Sequence, residues 1–434
     1  MPCLPPGRIQ PAASQLNLPE PQLRPFLVHC LLETSLRFTS GLHHSLSRAK
    51  NTMNYHILLT GATGLLGRYL LRDLLLADTS VAVLVRRGRR QNAAERVEAM
   101  MLSWESMLGR ELPRPHVLEG DLTKPNLGLD DDELAWVEQN CDSVLHNAAS
   151  LTFISSDPEG EPWISNVTGT QNVLDVCEKT GIKDFHHVST SYVCGLRDGD
   201  VFENELDEGQ EWGNDYERSK VQAETLVRNA KFLSPPTFYR PAIIVGDSQT
   251  GFTTSFHGFY ATLHLTYTLK KSMNAEMGHD PSKPTRITLD GNECKNFVPV
   301  DWVSAVTTHV VTNREFHGQT YHLTPETSVS ATEVKQVLDL AIGFEGSVFH
   351  GAGKPVDDPS EIEQLFYEHI RVYNSYWRDD PRFDGTNTRQ AAPHLPCPTL
   401  DFEMLLMMAN KAIEMDFRWK DKVPAANVAA STTS

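Results

Sequence analysis

The sequence predicts an α/β fold in which a doubly wound parallel sheet is followed by a smaller substrate region. Three observations predict it. Between Met53 and Gly246, short apolar runs alternate with helix-like stretches, as in a parallel sheet covered on both faces. The first run, Ile57-Leu58-Leu59, enters a glycine-rich turn, Thr60-Gly-Ala-Thr-Gly-Leu-Leu-Gly67. A strongly apolar helix, Tyr69–Leu76, follows that turn at once.

A glycine-rich turn between a strand and a helix is the context a dinucleotide site requires. Gly61 can make the tight turn, Gly64 lets the backbone approach a pyrophosphate, and Gly67 lets helix and strand pack closely. Thr63, Leu65 and Leu66 complete the cradle, and the helix N-terminus offers free N–H groups to phosphate. The spacing is G-x-x-G-x-x-G; an ordinary strand–helix turn is the plain alternative. The class expected is therefore a Rossmann-type domain.

Val81–Val85 is the second strand, and Arg86-Arg87 follow at its carboxyl end. An NAD site usually has an acid there to hold the ribose hydroxyls, whereas arginines suit a 2′-phosphate. Arg86, Arg87, Arg89 and Arg90 supply fork-shaped donors for that dianion, so the cofactor expected is NADP, as NADPH. The alternative is a solvated basic loop. His116–Leu122 is the third strand, with Asp121 and Leu122 placed to flank an adenine. Val144–Ala149 is the fourth strand and its exit, where Asn147, Ala148 and Ala149 let the backbone lie against the cofactor. His146 sits within an apolar run and reads as structural.

Phe185–Gly195 is a strand ending in hydroxyl residues. Asn214 or Asp215 caps the next helix, where Tyr216 and Lys220 are i and i+4 and share a face. Thr237–Gly246 completes the cofactor domain. Phe256–Leu269 is aromatic and apolar at helical spacing, Phe297–Val306 begins a strand–helix unit, and Phe402–Ala409 is apolar. The organisation expected is an extension over 1–52, a cofactor domain over 53–246, a substrate region over 247–345, a helical extension over 346–424 and a disordered tail over 425–434.

Residues 1–52 hold seven prolines and five Lys/Arg against two Glu, a net of +3, so the remainder carries −20 of a total of −17. That segment is expected to be disordered, transit-like, or an upstream stretch never made. The acidic balance disfavours nucleic-acid binding. Seven scattered cysteines without C-x-x-C give neither a zinc site nor a disulfide framework, and no metal is expected. No apolar run approaches the roughly 18 residues of a membrane span.

The glycine turn, the Ser/Thr strand end and the Tyr216-Glu-Arg-Ser-Lys220 helix occur together, and the combination resembles the extended short-chain dehydrogenases/reductases over about residues 54–340. The closer likeness is to thioester reductases and fatty acyl-CoA reductases, the male sterility-like NAD-binding group. It is carried by His187–Val193, Tyr216–Lys220, Tyr239–Ser248 with Thr250-Gly251, and Asn296–Asp301. The resemblance implies a catalytic set of Thr190, Tyr216 and Lys220, with the adjacent Ser191 the runner-up for the hydroxyl role of Thr190. Lys220 would lower the Tyr216 pKa and bond the nicotinamide ribose, and Pro241 would pack near the nicotinamide amide. It implies NADPH-dependent reduction of an acyl thioester, or a related carbonyl, on coenzyme A or a carrier protein; the scattered cysteines suit a reducing compartment, so a cytoplasmic location is expected, as a monomer or homodimer. A nucleotide-sugar epimerase or dehydratase, and a non-catalytic NADP-binding sensor, are the alternatives on the same fold.

Overall fold

Strands that are apolar at every position can be stable only where helices cover both faces, and Val81–Val85 is buried at all five positions. The computed structural model describes residues 55–421, apart from 156, 158, 274–283, 345 and 420. The expectations for 1–52 and 425–434 lie outside the described residues.

Seven parallel strands form the central sheet: β1 His56–Thr60, β2 Val81–Val85, β3 His116–Glu119, β4 Cys141–His146, β5 Asp184–Val188, β6 Thr237–Pro241 and β7 Thr320–Leu323. Their order is β3-β2-β1-β4-β5-β6-β7, so the winding reverses between β1 and β4. Ligands bind at such a switch point, beyond the carboxyl ends of the strands. In register, Thr60 lies beside Leu84 on one side and His146 on the other.

The sheet is covered by α1 Leu65–Leu76, α2 Ala93–Leu108, α3 Asp131–Asn140, α4 Gly169–Thr180 and α5 Asp215–Asn229. One core layer joins Leu70, Leu74 and Met100 to Val83; the other joins Val137, Val173 and Val227 to Leu58 and Phe185. Residues beyond 246 complete this domain. α7 Val300–Thr312 lies beside α1, where Ser304 Oγ donates to Asp73 Oδ2 at 2.5 Å, and β7 closes the sheet edge against β6.

The apolar run 237–246 is two strands rather than one. β6 ends at Pro241, and Ile243–Val245 leaves the sheet to pair with Phe297–Pro299. The change of partner is sharp: Ala242 N–H donates to Leu323 O, and the next N–H, of Ile243, to Asn296 O.

A second core packs α6 Phe259–Met273, α8 Ala331–Ile342 and α11 Phe402–Glu414 together through Leu263, Val337, Leu405 and Met408. Between these helices lie α9 Glu361–Ile370 and α10 Thr386–Ala391. The stretch between α9 and α10 returns to the sheet domain: Asp380 accepts from Tyr192 Oη at 2.7 Å and from Lys295 Nζ at 3.0 Å. Arg382–Phe383 also pairs with Asp200–Val201.

Candidate active site

The glycine turn is shaped by contacts no side chain could share. Gly61 adopts φ +71°, and a Cβ there would lie 2.7 Å from Ala148 Cα. At Gly67 a Cβ would lie 2.0 Å from Gly61 O, so α1 presses directly on the turn. Gly64 is the N-cap of α1 and contributes no side-chain cap, which leaves the first-turn N–H groups open toward the cavity. Thr60 Oγ1 ties β1 to β4 by accepting from the N–H groups of Asn147 and Ala148. His146 is held between Thr60 and Thr170, and burial pushes it down to about 3, so the ring is neutral and structural.

A cavity of about 900 Å³ opens above the carboxyl ends of β1, β2, β4, β5 and β6. Gly61, Thr63, Gly64, Leu65, Leu66, Arg86, Asp121, Leu122, Asn147, Ala148, Ala149, Thr190, Tyr216, Lys220 and Pro241 all line it. Gly67 does not, because it packs beneath the turn. Arg87 does not either: its guanidinium is 2.7 Å from Glu119 Oε1. Its place is taken by Arg96 of α2, which donates to Arg86 O at 2.6 Å and to Thr63 Oγ1 at 3.1 Å. Arg96 thus sets a guanidinium beside the glycine turn, and Arg86 lines the same cavity.

Asn214 caps α5 by accepting from Glu217 N–H at 3.0 Å, and Tyr216 follows in the first turn. Thr190 Oγ1 accepts from Tyr192 N–H at 3.3 Å and donates to Pro241 O at 3.5 Å, and it lines the cavity with Tyr216. Burial raises the Tyr216 phenol; the nearby Thr190 hydroxyl opposes this and the Glu217 charge adds to it. Lys220 aims its ammonium at Val188 O, 2.8 Å away, at the end of β5. Burial pushes it down to about 8, with the Glu224 charge opposing. Before any cofactor charge is added, Tyr216 is therefore set by its burial, Thr190 and Glu217, and it is a neutral phenol at physiological pH. Ser191 is fully buried and faces away from the cavity, which separates it from Thr190.

Beyond Tyr216 the cavity continues between α6, α8 and α9. Phe259, Leu269, Val334, Leu338, Ile342 and Phe366 form its walls. The stretch Phe256–Leu269 divides its residues: Phe259, Thr262, Thr266 and Leu269 face the cavity, whereas Leu263 is fully buried and Tyr260 bonds Gly246 N–H. At the junction, Phe153 packs edge-on against Tyr216 (5.7 Å), Tyr373 (5.3 Å) and Tyr376 (5.7 Å). Asp247–Gly251 lies outside the lining. It is a turn in which Asp247 Oδ1 accepts from Gln249, Thr250 N–H and Thr250 Oγ1, and Oδ2 accepts from Tyr69 Oη.

A family model described as male sterility protein, an NAD-binding domain, matches residues 59–307. The chain belongs to this family. It falls within the extended short-chain dehydrogenases/reductases and is an NAD(P)-dependent oxidoreductase of that type. The chain is 27% identical over 292 residues to a nonribosomal peptide synthetase of Aspergillus flavus, covering 64% of this chain and 27% of that one. An aldehyde reductase of the same fungus is 28% identical over 388 residues, covering 80% of this chain and 35% of that one. The chain thus spans about a third or less of these relatives' length. The terminal R domain from the myxalamid PKS-NRPS biosynthetic pathway superposes with a TM-score of 0.67 at 26% identity, covering 86% of this chain and 94% of that domain.

The residues present fit a nicotinamide dinucleotide. The glycine cradle is closed to any Cβ at Gly61, the α1 N-terminus is uncapped by a side chain, and the cavity is large enough for a cofactor and a second molecule. Among the described residues, no helix is long and apolar enough to cross a membrane.

Proposed function

We propose that this chain uses NADPH to reduce an acyl thioester, carried on coenzyme A or a carrier protein, or the aldehyde derived from it. The observation that carries this reading is the position of the Thr190–Tyr216 pair, at the junction of the glycine-cradled part of the cavity and its apolar continuation. A nucleotide sugar needs many hydroxyl and diphosphate contacts, which walls of Phe259, Leu269, Leu338 and Ile342 supply poorly. The relatives named as a peptide synthetase and an aldehyde reductase support a carrier-bound or carbonyl substrate. The five cysteines among the described residues are free thiols, which suits a reducing compartment such as the cytoplasm.

When bound, the nicotinamide supplies a hydride to the thioester carbonyl carbon, and loss of the thiol leaves an aldehyde. The chain's own residues do the rest. Thr190 Oγ1 and Tyr216 Oη take the carbonyl oxygen between them and stabilise its growing charge. Tyr216, neutral because it is desolvated, gives that oxygen its proton. Lys220, which lines the cavity, would hold the nicotinamide ribose and set a positive charge near the reacting atoms. The apolar chamber holds the acyl chain and excludes water.

The test is NADPH oxidation against a panel of acyl-CoA thioesters, carrier-bound acyl groups and aldehydes, with product analysis of nucleotide sugars incubated with the chain and its cofactor. Thioesters or aldehydes should turn over, and kcat/KM should rise with chain length, since each buried methylene is worth about 0.8 kcal/mol. Turnover of a nucleotide sugar, with none of any thioester or aldehyde, would instead establish an epimerase.

The cofactor preference rests on Arg86 and Arg96. Replacing both with Ala should weaken NADPH by about 1.5–3 kcal/mol for each charged hydrogen bond lost, and NADH far less. Arg87→Ala should change little, because its partner is Glu119. Titration of each variant with both cofactors measures this; equal affinities in the unmodified protein would refute it.

A further inference from the structure

At the amino end of β5, the end away from Thr190, the carboxylate of Asp184 lies between two histidines. Asp184 Oδ1 lies 3.4 Å from His186 Nε2, and Asp184 Oδ2 lies 3.3 Å from His317 Nδ1. All three ligand-type atoms are within 4.8 Å of each other. His186 Nε2 is buried and makes no hydrogen bond, so the 3.4 Å approach is not an aligned one.

We propose that Asp184, His186 and His317 bind one divalent transition-metal ion of the zinc class. The far nitrogens are already engaged. His317 Nε2 is 3.1 Å from Val311 O and His186 Nδ1 is 2.9 Å from Tyr239 Oη. A carbonyl only accepts, so in the neutral His317 ring Nε2 carries the proton and Nδ1 presents a lone pair toward a carboxylate. Two lone pairs face each other stably only with a cation between them. A proton serves one such pair; a metal ion serves all three atoms at once. Metal–ligand bonds of about 2.0–2.2 Å in a tetrahedron place neighbouring ligand atoms about 3.4 Å apart; here each histidine nitrogen lies 3.4 or 3.3 Å from its own oxygen of Asp184, and one atom from each of the three side chains fits within 4.8 Å. A second hydrogen bond on each histidine is the arrangement that orients metal-bound imidazoles.

Asp184 and His317 keep 22% and 14% of their side-chain surface exposed, so an ion can reach the site and water can complete its coordination. Arg314, whose charge is felt at His186, is held by Asp142 at 2.9 Å. The site uses no cysteine, which is why cysteine spacing does not reveal it. His317 lies past residue 307, where the family match ends. The ion would clamp β5 to the turn between α7 and β7 across the intervening β6, far from the reacting carbonyl, as a structural centre.

The experiment uses the full chain, stripped with a chelator and dialysed, then titrated with zinc by calorimetry and followed by thermal melting. We expect one ion per chain at this site and a melting temperature that rises with zinc. His317→Ala should weaken that binding at least 100-fold. Tyr239→Phe, which keeps the ring and loses the outer hydrogen bond, should weaken it about 10–100-fold. If His317→Ala fails to fold, Asp184→Asn and Tyr239→Phe carry the comparison. No saturable zinc uptake by the unmodified chain, or equal uptake by it and by the variants, overturns the proposal.

Discussion

Tyr216→Phe should bind NADPH as the unmodified enzyme does and lose about 10²–10⁴-fold in kcat. The ring stays, so the edge-on packing with Phe153 stays and the cavity keeps its shape. Only the hydroxyl goes, and with it the proton donor. Stopped-flow cofactor binding and steady-state turnover separate the two effects, and near-normal turnover would remove Tyr216 from the mechanism. The pH profile carries a second signature. Burial pushes Lys220 down to about 8, so its charge is present below that pH and lost above it. Turnover should therefore fall as pH rises through about 8. Lys220→Arg, which cannot lose its charge, should flatten that limb whatever it does to the maximum.

Much of this site was legible because local spacing encodes it. The glycine turn and the i, i+4 pair of Tyr216 and Lys220 are set by a few adjacent residues, and doubly covered strands read as unbroken apolar runs. What was hidden depends on approach through space. Arg96 lies one turn into α2, ten residues after Arg86, and only the placement of that helix brings it back to Thr63. Arg87 reads like its neighbour until β3 sets Glu119 against it. Phe153 meets Tyr373 and Tyr376 across more than 200 residues, and the aromatic density of Tyr373–Trp377 was the one available signal. β7 is four residues long, and Thr320–Leu323 becomes a strand only by pairing with β6. The stretch Asp247–Gly251 misleads in the opposite direction: its polar residues look like site chemistry, yet they satisfy one another within a turn.

Arg240→Met should destabilise the fold by about 3–5 kcal/mol, although Arg240 touches nothing in the cavity. Its side chain and that of Glu224 are both fully buried, joined by a forked contact of 2.6 and 3.2 Å. Arg228 is a second donor to the same carboxylate at 2.6 Å. Glu224 is one turn beyond Lys220 on α5, and Arg240 precedes Pro241 on β6, so the pair bolts the helix that carries Tyr216 to the strand beneath it. Removing the cation leaves Glu224 buried with only Arg228. These two cations, with burial opposing, hold Glu224 down to about 2 in the folded state, below its usual 4.5. The sign follows: the pair's stabilisation is fully present above about pH 4.5 and is lost as pH falls toward about 2. Arg240→Met should therefore cost most near neutral pH and progressively less in acid, which urea denaturation at several pH values measures. Glu224→Gln adds a catalytic readout. It removes the charge that holds the Lys220 pKa up, so the alkaline fall in turnover should move below pH 8. Equal stabilities of Arg240→Met and the unmodified protein at neutral pH, or an unmoved alkaline limb in Glu224→Gln, would show that the buried pair does not brace the catalytic helix.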